Sequence, residues 1–241
     1  MIFLAVVTAA VSLFAGAIAS ATGFGIGSLL TPLLNLRSDM RLAVAAVSIP
    51  HLVATSLRLW LLRHDVDWRV LKSFGLMSAA GGLVGAILQR QATGRSLTIV
   101  FAVLLVFAGL AGVTGFSEHM RLGRTTGWVA GIISGALGGL VGNQGGIRSA
   151  ALLGYELSPA AFVATATAAG LIVDAARVPV YVIAERGRLL QQMDLIGIAT
   201  AGVVVGTIVG ERGLKRLSPS LFRKLVGVLL LLLGLYMFSR A

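Results

Sequence analysis

The chain alternates between long apolar runs and short charged clusters. Runs with the length of a membrane span lie at 2–19, 42–62, 70–88, 97–115, 126–141, 160–184, 195–210 and 221–238. A span takes about 20 mainly apolar residues, with some latitude. Clusters such as Arg37-Ser38-Asp39-Met40-Arg41 and Glu185-Arg186-Gly187-Arg188 separate the runs, as water-exposed loops between membrane helices would. Two further runs, 24–36 and 147–157, are too short for a comfortable span, and each follows a glycine-rich break. The pattern predicts an all-α, polytopic transmembrane helix bundle with glycine-broken or re-entrant short helices. The first run contains Ala17-Ile18-Ala19, which looks like a signal cleavage site, but it lacks a basic leader segment and reads as a retained helix.

The order of features repeats. Ala15-Gly16 and Ala130-Gly131 each precede a glycine-rich break, and Gly25–Leu34 lies against Asn143–Leu152. Ala80-Gly81 and Gly85 then match Ala201-Gly202 and Gly206, and each half ends in a Leu/Val-rich helix. The expected organisation is two homologous halves, 1–116 and 126–241, joined by the polar loop 117–125. Short runs that cross the bilayer would make the halves inverted, and re-entrant ones would make them parallel. The Lys and Arg distribution favours neither case. Paired, glycine-interrupted short segments in a repeated membrane protein point to a transport site at the repeat interface. Non-helical backbone at membrane depth is tolerated only where protein or a wet cavity satisfies it.

Composition sharpens this picture. Hydrophobic residues make up 57% of the 241 and charged ones only 12%. An average globular chain carries about 25% charged residues. The net charge of +11 is spread over many loops rather than gathered on one basic face. That argues against nucleic-acid binding and for attraction to anionic lipid headgroups. The chain has no cysteine, which excludes disulfides and thiol chemistry. His51, His64 and His119 lack metal-ligand spacing. No catalytic residue, metal or cofactor is expected.

The chemistry concentrates at Gly142-Asn143-Gln144-Gly145-Gly146-Ile147-Arg148. A helix beginning after Gly145-Gly146 would present free N–H groups and the positive end of its dipole, a natural anion site. Arg148 would add a full charge in the first turn, and Asn143 and Gln144 would add amides. The structural alternative has Arg148 snorkelling to headgroups or paired with Glu156. Asp174 and Arg177, at i and i+3, share a helical face. They read either as a packing pair or as proton acceptor and anion ligand. In the first half Arg58 reads either as a second cation near the site or, lying close to Arg63, as a loop-edge residue, and the loop-edge reading is favoured. Thr22, Gly23 and Gly25 form the first break, where hydroxyls would satisfy freed backbone or face substrate. His51 lies well inside a span, where it could relay protons, although a histidine bonded to a neighbouring helix is the commoner case. An intramembrane protease would need a serine–histidine pair such as Ser134 and His51, and a channel would need rings of charge or carbonyls.

At its breaks the chain resembles the sulfite exporter TauE/SafE family of membrane permeases. The resemblance rests on Gly23-Phe24-Gly25-Ile26-Gly27 followed by Thr31-Pro32-Leu33-Leu34, and on Gly138-Gly139 followed by Gly142-Asn143-Gln144-Gly145-Gly146. It covers essentially the whole chain. Ala150 stands where the family's proline is expected, and Asn143, Gln144 and Arg148 replace its more usual glycines and apolar residues. The resemblance implies about eight passes and outward transport of sulfite or an organosulfonate. The expected location is the plasma membrane of a bacterium. Asn143, Gln144, Gly145, Gly146, Arg148, Arg177, Thr22 and Gly25 are the expected substrate-binding residues, with Asp174 for proton coupling. A small anion and the lipid bilayer are the expected partners, with a homodimer left open. No phosphate-binding loop is present, so energy would come from an ion gradient, or transport would be passive.

Overall fold

The computed structural model describes residues 2–115, 124–155, 157–213 and 219–241, with the backbone alone for 21, 22, 124, 125, 211–213, 219 and 220. The described residues are helical, with no strand among them. In chain order the helices are α1 (Ile2–Thr22), α2 (Ile26–Leu34), α3 (Met40–Leu62), α4 (Trp68–Val70), α5 (Leu76–Gln89), α6 (Gly94–Thr114), α7 (Arg124–Val141), α8 (Gly145–Leu153), α9 (Pro159–Leu190), α10 (Met193–Gly213) and α11 (Pro219–Ser239). A π-turn over Leu71–Gly75 joins α4 to α5, making one span from Trp68 to Gln89. Seven helices among the described residues are long and apolar enough to cross a membrane, and Thr126–Val141 is a shorter apolar one. Every run of the hydropathy pattern, long or short, is a helix.

Four helix starts among the described residues are capped by side chains. Asp39 accepts from the Leu42 N–H, Asp67 from Arg69 and Val70, Thr93 from Ser96, and Ser158 from Ala161. Each cap satisfies N–H groups that the first helical turn leaves without a partner. Asp39 also holds Arg188 at 2.5 Å, tying the start of α3 to the end of α9. Burial pushes the Asp39 carboxyl up, but the Leu42 N–H and Arg188 outweigh it and hold it below the usual carboxylate range. The half-length helices α2 and α8 differ, since neither has a side-chain cap.

The bundle turns its large apolar side chains outward. Phe3, Trp60, Ile183 and Leu235 are exposed, while alanine, serine and threonine dominate many buried helix faces. Without a hydrophobic force between helices in lipid, association relies on close packing of small residues. The α5–α7 interface shows this: Gly81, Gly82 and Gly85 pack against Ile132, Gly135, Ala136 and Gly139. Along α1 and α10, Gly202, Gly206 and Gly210 pack against Ser12, Leu13 and Ala17.

These contacts also set helix directions. Residue numbers rise together along α1 and α10, and along α5 and α7, so each pair is parallel. They run oppositely along α6 and α11, where Gly109 meets Leu231 and Gly112 meets Arg223. They also run oppositely along α3 and α9, where Asp39 meets Arg188, His51 meets Asp174 and Arg58 meets Thr167. With the short turns at 90–93 and 191–192, α1, α3, α6 and α10 point one way and α5, α7, α9 and α11 the other. Since α1 and α3 point the same way, the segment holding α2 must bring the chain back across the bundle. The segment holding α8 does the same between α7 and α9. Nine residues rise only about 14 Å, so each short helix covers less than half of a bilayer core.

A Cβ at Gly85 would run into the Ala136 carbonyl, whereas one at Gly197 meets nothing within 4 Å. Gly85→Ala is therefore expected to destabilise the detergent-solubilised protein by about 1–3 kcal/mol, the usual effect of overpacking. Gly197→Ala should be neutral or stabilising by up to about 1 kcal/mol. Thermal unfolding of the two variants checks this, and equal midpoints would contradict the close α5–α7 approach.

Candidate functional site

The two helix breaks meet inside the bundle. Gly23, Gly25 and Gly142 have φ values of 84°, 127° and 75°, a backbone region open mainly to glycine. Gly145 packs directly on Phe24, and a Cβ at Gly27 would stand 2.6 Å from the Gly142 carbonyl oxygen. The uncapped starts of α2 and α8 therefore lie together. Their first-turn N–H groups and their dipoles concentrate positive potential at this junction.

Three buried guanidinium groups surround this junction. Arg148, in the first turn of α8, donates from Nη2 to the Gly23 carbonyl at 3.2 Å. A Cβ at Gly170 would meet its Nη1 at 2.6 Å, so only a glycine on α9 leaves room for the side chain. Its Nε and Nη1 are buried and have no hydrogen-bond partner among the described residues. Arg177 is committed instead: it holds Asp174 Oδ1 from Nε at 2.9 Å and from Nη2 at 2.8 Å, and donates from Nη1 to the Gly138 carbonyl at 2.5 Å. Tyr181 donates to the adjacent Gly139 carbonyl. Together they neutralise the negative, carbonyl-bearing end of α7. Arg58 donates from Nη2 to Thr167 Oγ1 at 3.0 Å and lies beside Gly23.

Asp174 is fully buried and is bound on both oxygens, by Arg177 on Oδ1 and by His51 Nδ1 on Oδ2 at 2.6 Å. The Thr55 hydroxyl lies 3.3 Å from the same histidine nitrogen. Three guanidiniums against one carboxylate leave two positive charges in excess, the imidazole apart. Arg148 interacts electrostatically with Asp174, Arg177 and Arg58. An apolar bundle keeps unbalanced charge at such depth only at substantial cost, which makes it the mark of a functional site.

The expected residues divide into two groups. Arg148, Arg177 and Asp174 come together around the α2–α8 junction. Asn143 and Gln144 face away, lining a small cavity with Leu104, Phe107 and Ala108 of α6. Gly146 also lines that cavity, and it lies about 200° around the helix from Arg148. The Asn143 Nδ2 and both Gln144 side-chain amide atoms are buried without partners among the described residues. Gly145 and Gly25 act through the backbone, against Phe24 and Ile18. The Thr22 side chain and Glu156 lie outside the described residues, as do 116–123, which include His119.

Arg58 is a correction. Expected at a loop edge, it is 5% exposed and bonded across the bundle. The missed signal is the stripe His51, Thr55, Arg58, which lies along one face of an apolar helix at i, i+4 and i+7. The serine–histidine pair of a hydrolytic site is not formed, because Ser134 donates to the Gln144 carbonyl and His51 is bound to Asp174.

A family model described as the sulfite exporter TauE/SafE matches residues 8–237. No curated protein and no solved structure matches the chain. The match spans both helix breaks and the three arginines around them, and the helices supply the membrane-crossing apolar lengths that a permease needs. This chain belongs to the sulfite exporter TauE/SafE family and is an integral membrane protein of a kind that moves small anions across the lipid bilayer.

Proposed function

We propose that this chain is a secondary transporter of a small oxyanion, sulfite or an organosulfonate, exporting it across a bacterial plasma membrane. The observation that carries the reading is Arg148. It is a buried guanidinium with two donors left open, set where two uncapped half-helices start. A planar fork of donors suits an oxyanion, which can take two hydrogen bonds from it at once. Gly145 and Gly25 bring the two helix starts together through backbone contacts, while Asn143 and Gln144 carry their unpartnered amides, beside Gly146, in the neighbouring cavity against α6. Arg177 contributes charge while it clamps α9 to the end of α7.

Transport would proceed by alternating access between halves of opposite direction. The same sequence offset separates Gly23 from Gly142, Arg58 from Arg177, Leu13 from Ile132 and Ala17 from Ala136. Gly23 lies beside Arg58 as Gly142 lies beside Arg177. Gly81 and Gly85 meet Ile132 and Ala136 as Gly206 and Gly210 meet Leu13 and Ala17. This equivalence supports two related halves, inverted in direction, with a register shifted by one to four residues from the one that matching letters suggests. An inverted repeat around a shared site can open to either side by rocking one bundle against the other. The site is assembled within one chain, so the reading needs no second copy.

Arg148→Gln is expected to weaken anion binding about 10–100-fold, the equivalent of about 1.5–3 kcal/mol for hydrogen bonds to a charged group. Flux of radiolabelled sulfite in proteoliposomes would fall accordingly, while the variant still elutes as a folded, monodisperse species. Unchanged flux would remove Arg148 from the site. For the clamp, Asp174→Asn or Arg177→Gln alone should destabilise the protein by about 3–5 kcal/mol, because each strands a buried partner. The double variant should recover part of that loss in a thermal-unfolding cycle. Purely additive losses would mean that the pair is not coupled.

A further inference from the structure

We infer that His51 is the proton-binding residue of this site, and that protonation of its Nε2 strengthens anion binding, so that proton and anion move together. The inference rests on the oxyanion reading and adds the coupling ion, its residue and its atom.

The geometry separates the roles of Asp174 and His51. Arg177 places two donors on one oxygen of Asp174, and His51 occupies the other. A carboxylate held by a guanidinium on one side is a poor place for a proton. It is a good acceptor for an imidazole N–H. The 2.6 Å contact therefore sets the histidine tautomer: Nδ1 carries the hydrogen and donates to Asp174 Oδ2. That leaves Nε2 with its lone pair free. The His51 side chain is 14% exposed while Asp174 is 0% exposed, so the histidine is the more accessible of the two.

The charged surroundings of His51 are limited. From α9 they are Asp174 and Arg177. From α8, Arg148 is electrostatically linked to both of those groups. On α3 itself Arg58 lies two turns on. α2 contributes no charged residue, and the charged residues of α6, α7 and α10 lie near their ends. Adding a proton raises the excess charge around the junction from two to three. Part of that charge is compensated when an oxyanion occupies Arg148. Each ligand thus favours the other, and the coupling is reciprocal. The sense is symport: proton and anion occupy the site together and cross together, so export by this route is driven by an outward gradient of the anion.

The test measures binding of sulfite, sulfate and methanesulfonate to the detergent-purified full chain, by ligand-dependent thermal shift, at pH 6 and pH 8. Imidazoles change charge in about this range. Sulfite itself takes up a proton there, so the protein's share is the difference between wild type and His51→Gln. Wild-type affinity should gain about tenfold more than that of His51→Gln between pH 8 and pH 6, within the usual range of coupling between two ligands. Asp174→Asn, which removes the acceptor of the Nδ1 hydrogen, should shrink that wild-type gain. In proteoliposomes an inward acid gradient should drive anion accumulation with wild type and not with His51→Gln.

Binding with the same pH dependence in wild type and His51→Gln would overturn the proton role and leave the anion reading intact. An undiminished gain in Asp174→Asn would overturn the Asp174–His51 unit. No binding of any of the three anions to wild type at either pH would overturn the anion reading, and the proton role with it.

Discussion

Breaking a helix inside a lipid-facing bundle exposes peptide N–H and C=O groups that hydrocarbon cannot satisfy. Each such group costs several kcal/mol if left alone in lipid. This chain breaks two helices, after α1 and after α7, and much of the interior follows from containing those breaks. The carbonyl ends created at α7 are met by Arg177 and Tyr181. The carbonyl at Gly23 is met by Arg148. The N–H ends of α2 and α8 receive no side-chain cap, although the water-facing helix starts at Asp39, Asp67, Thr93 and Ser158 all do. The contrast separates capped helix starts at exposed ends of the bundle from uncapped starts in its interior.

The glycine distribution follows from the same constraint. Two half-helices, a buried Arg148 and the cross-bundle bonds of Arg58 and Arg177 take up space near the junction. The surrounding helices must approach closely elsewhere to keep the bundle packed. Gly82 and Gly85 on α5, Gly135 and Gly139 on α7, and Gly202, Gly206 and Gly210 on α10 allow it. Gly170 belongs to the junction itself, since it leaves the volume that the Arg148 guanidinium fills. The cationic centre and the small-residue interfaces are one design problem solved in two places.

Electrostatically, the centre is organised around one carboxylate. Asp174 divides its two oxygens between Arg177 and His51, which joins a structural clamp to a titratable group. Arg148, Arg177, Asp174 and His51 thus form one network rather than two separate sites. In the low dielectric of a bundle interior, charges a few ångströms apart influence each other far more than they would in water.

Much of the architecture was legible in the sequence. Eight long apolar runs and two short ones after glycine breaks all became helices, because in lipid the backbone must satisfy itself locally and apolar length then decides what spans. The Asp174–Arg177 pair was readable as well, since i, i+3 geometry is a property of any helix. Other features belong to relations between segments far apart in the chain, which local periodicity does not encode. Whether 24–36 returns the chain or lets it continue depends on the directions of α1 and α3, and packing against α10 and α9 sets those. Arg58 looked like a loop-edge residue because its partner Thr167 lies on another helix. Asn143 and Gln144 sit next to Arg148 in sequence yet face α6, because the rotation of α8 is fixed by Phe24, Ala108 and Gly170. The chain by itself thus determined a polytopic bundle with two breaks and a surplus of buried positive charge. Only tertiary packing decided that the breaks meet, which donors stay open, and that His51 closes on Asp174, since those contacts form only when the helices lie side by side.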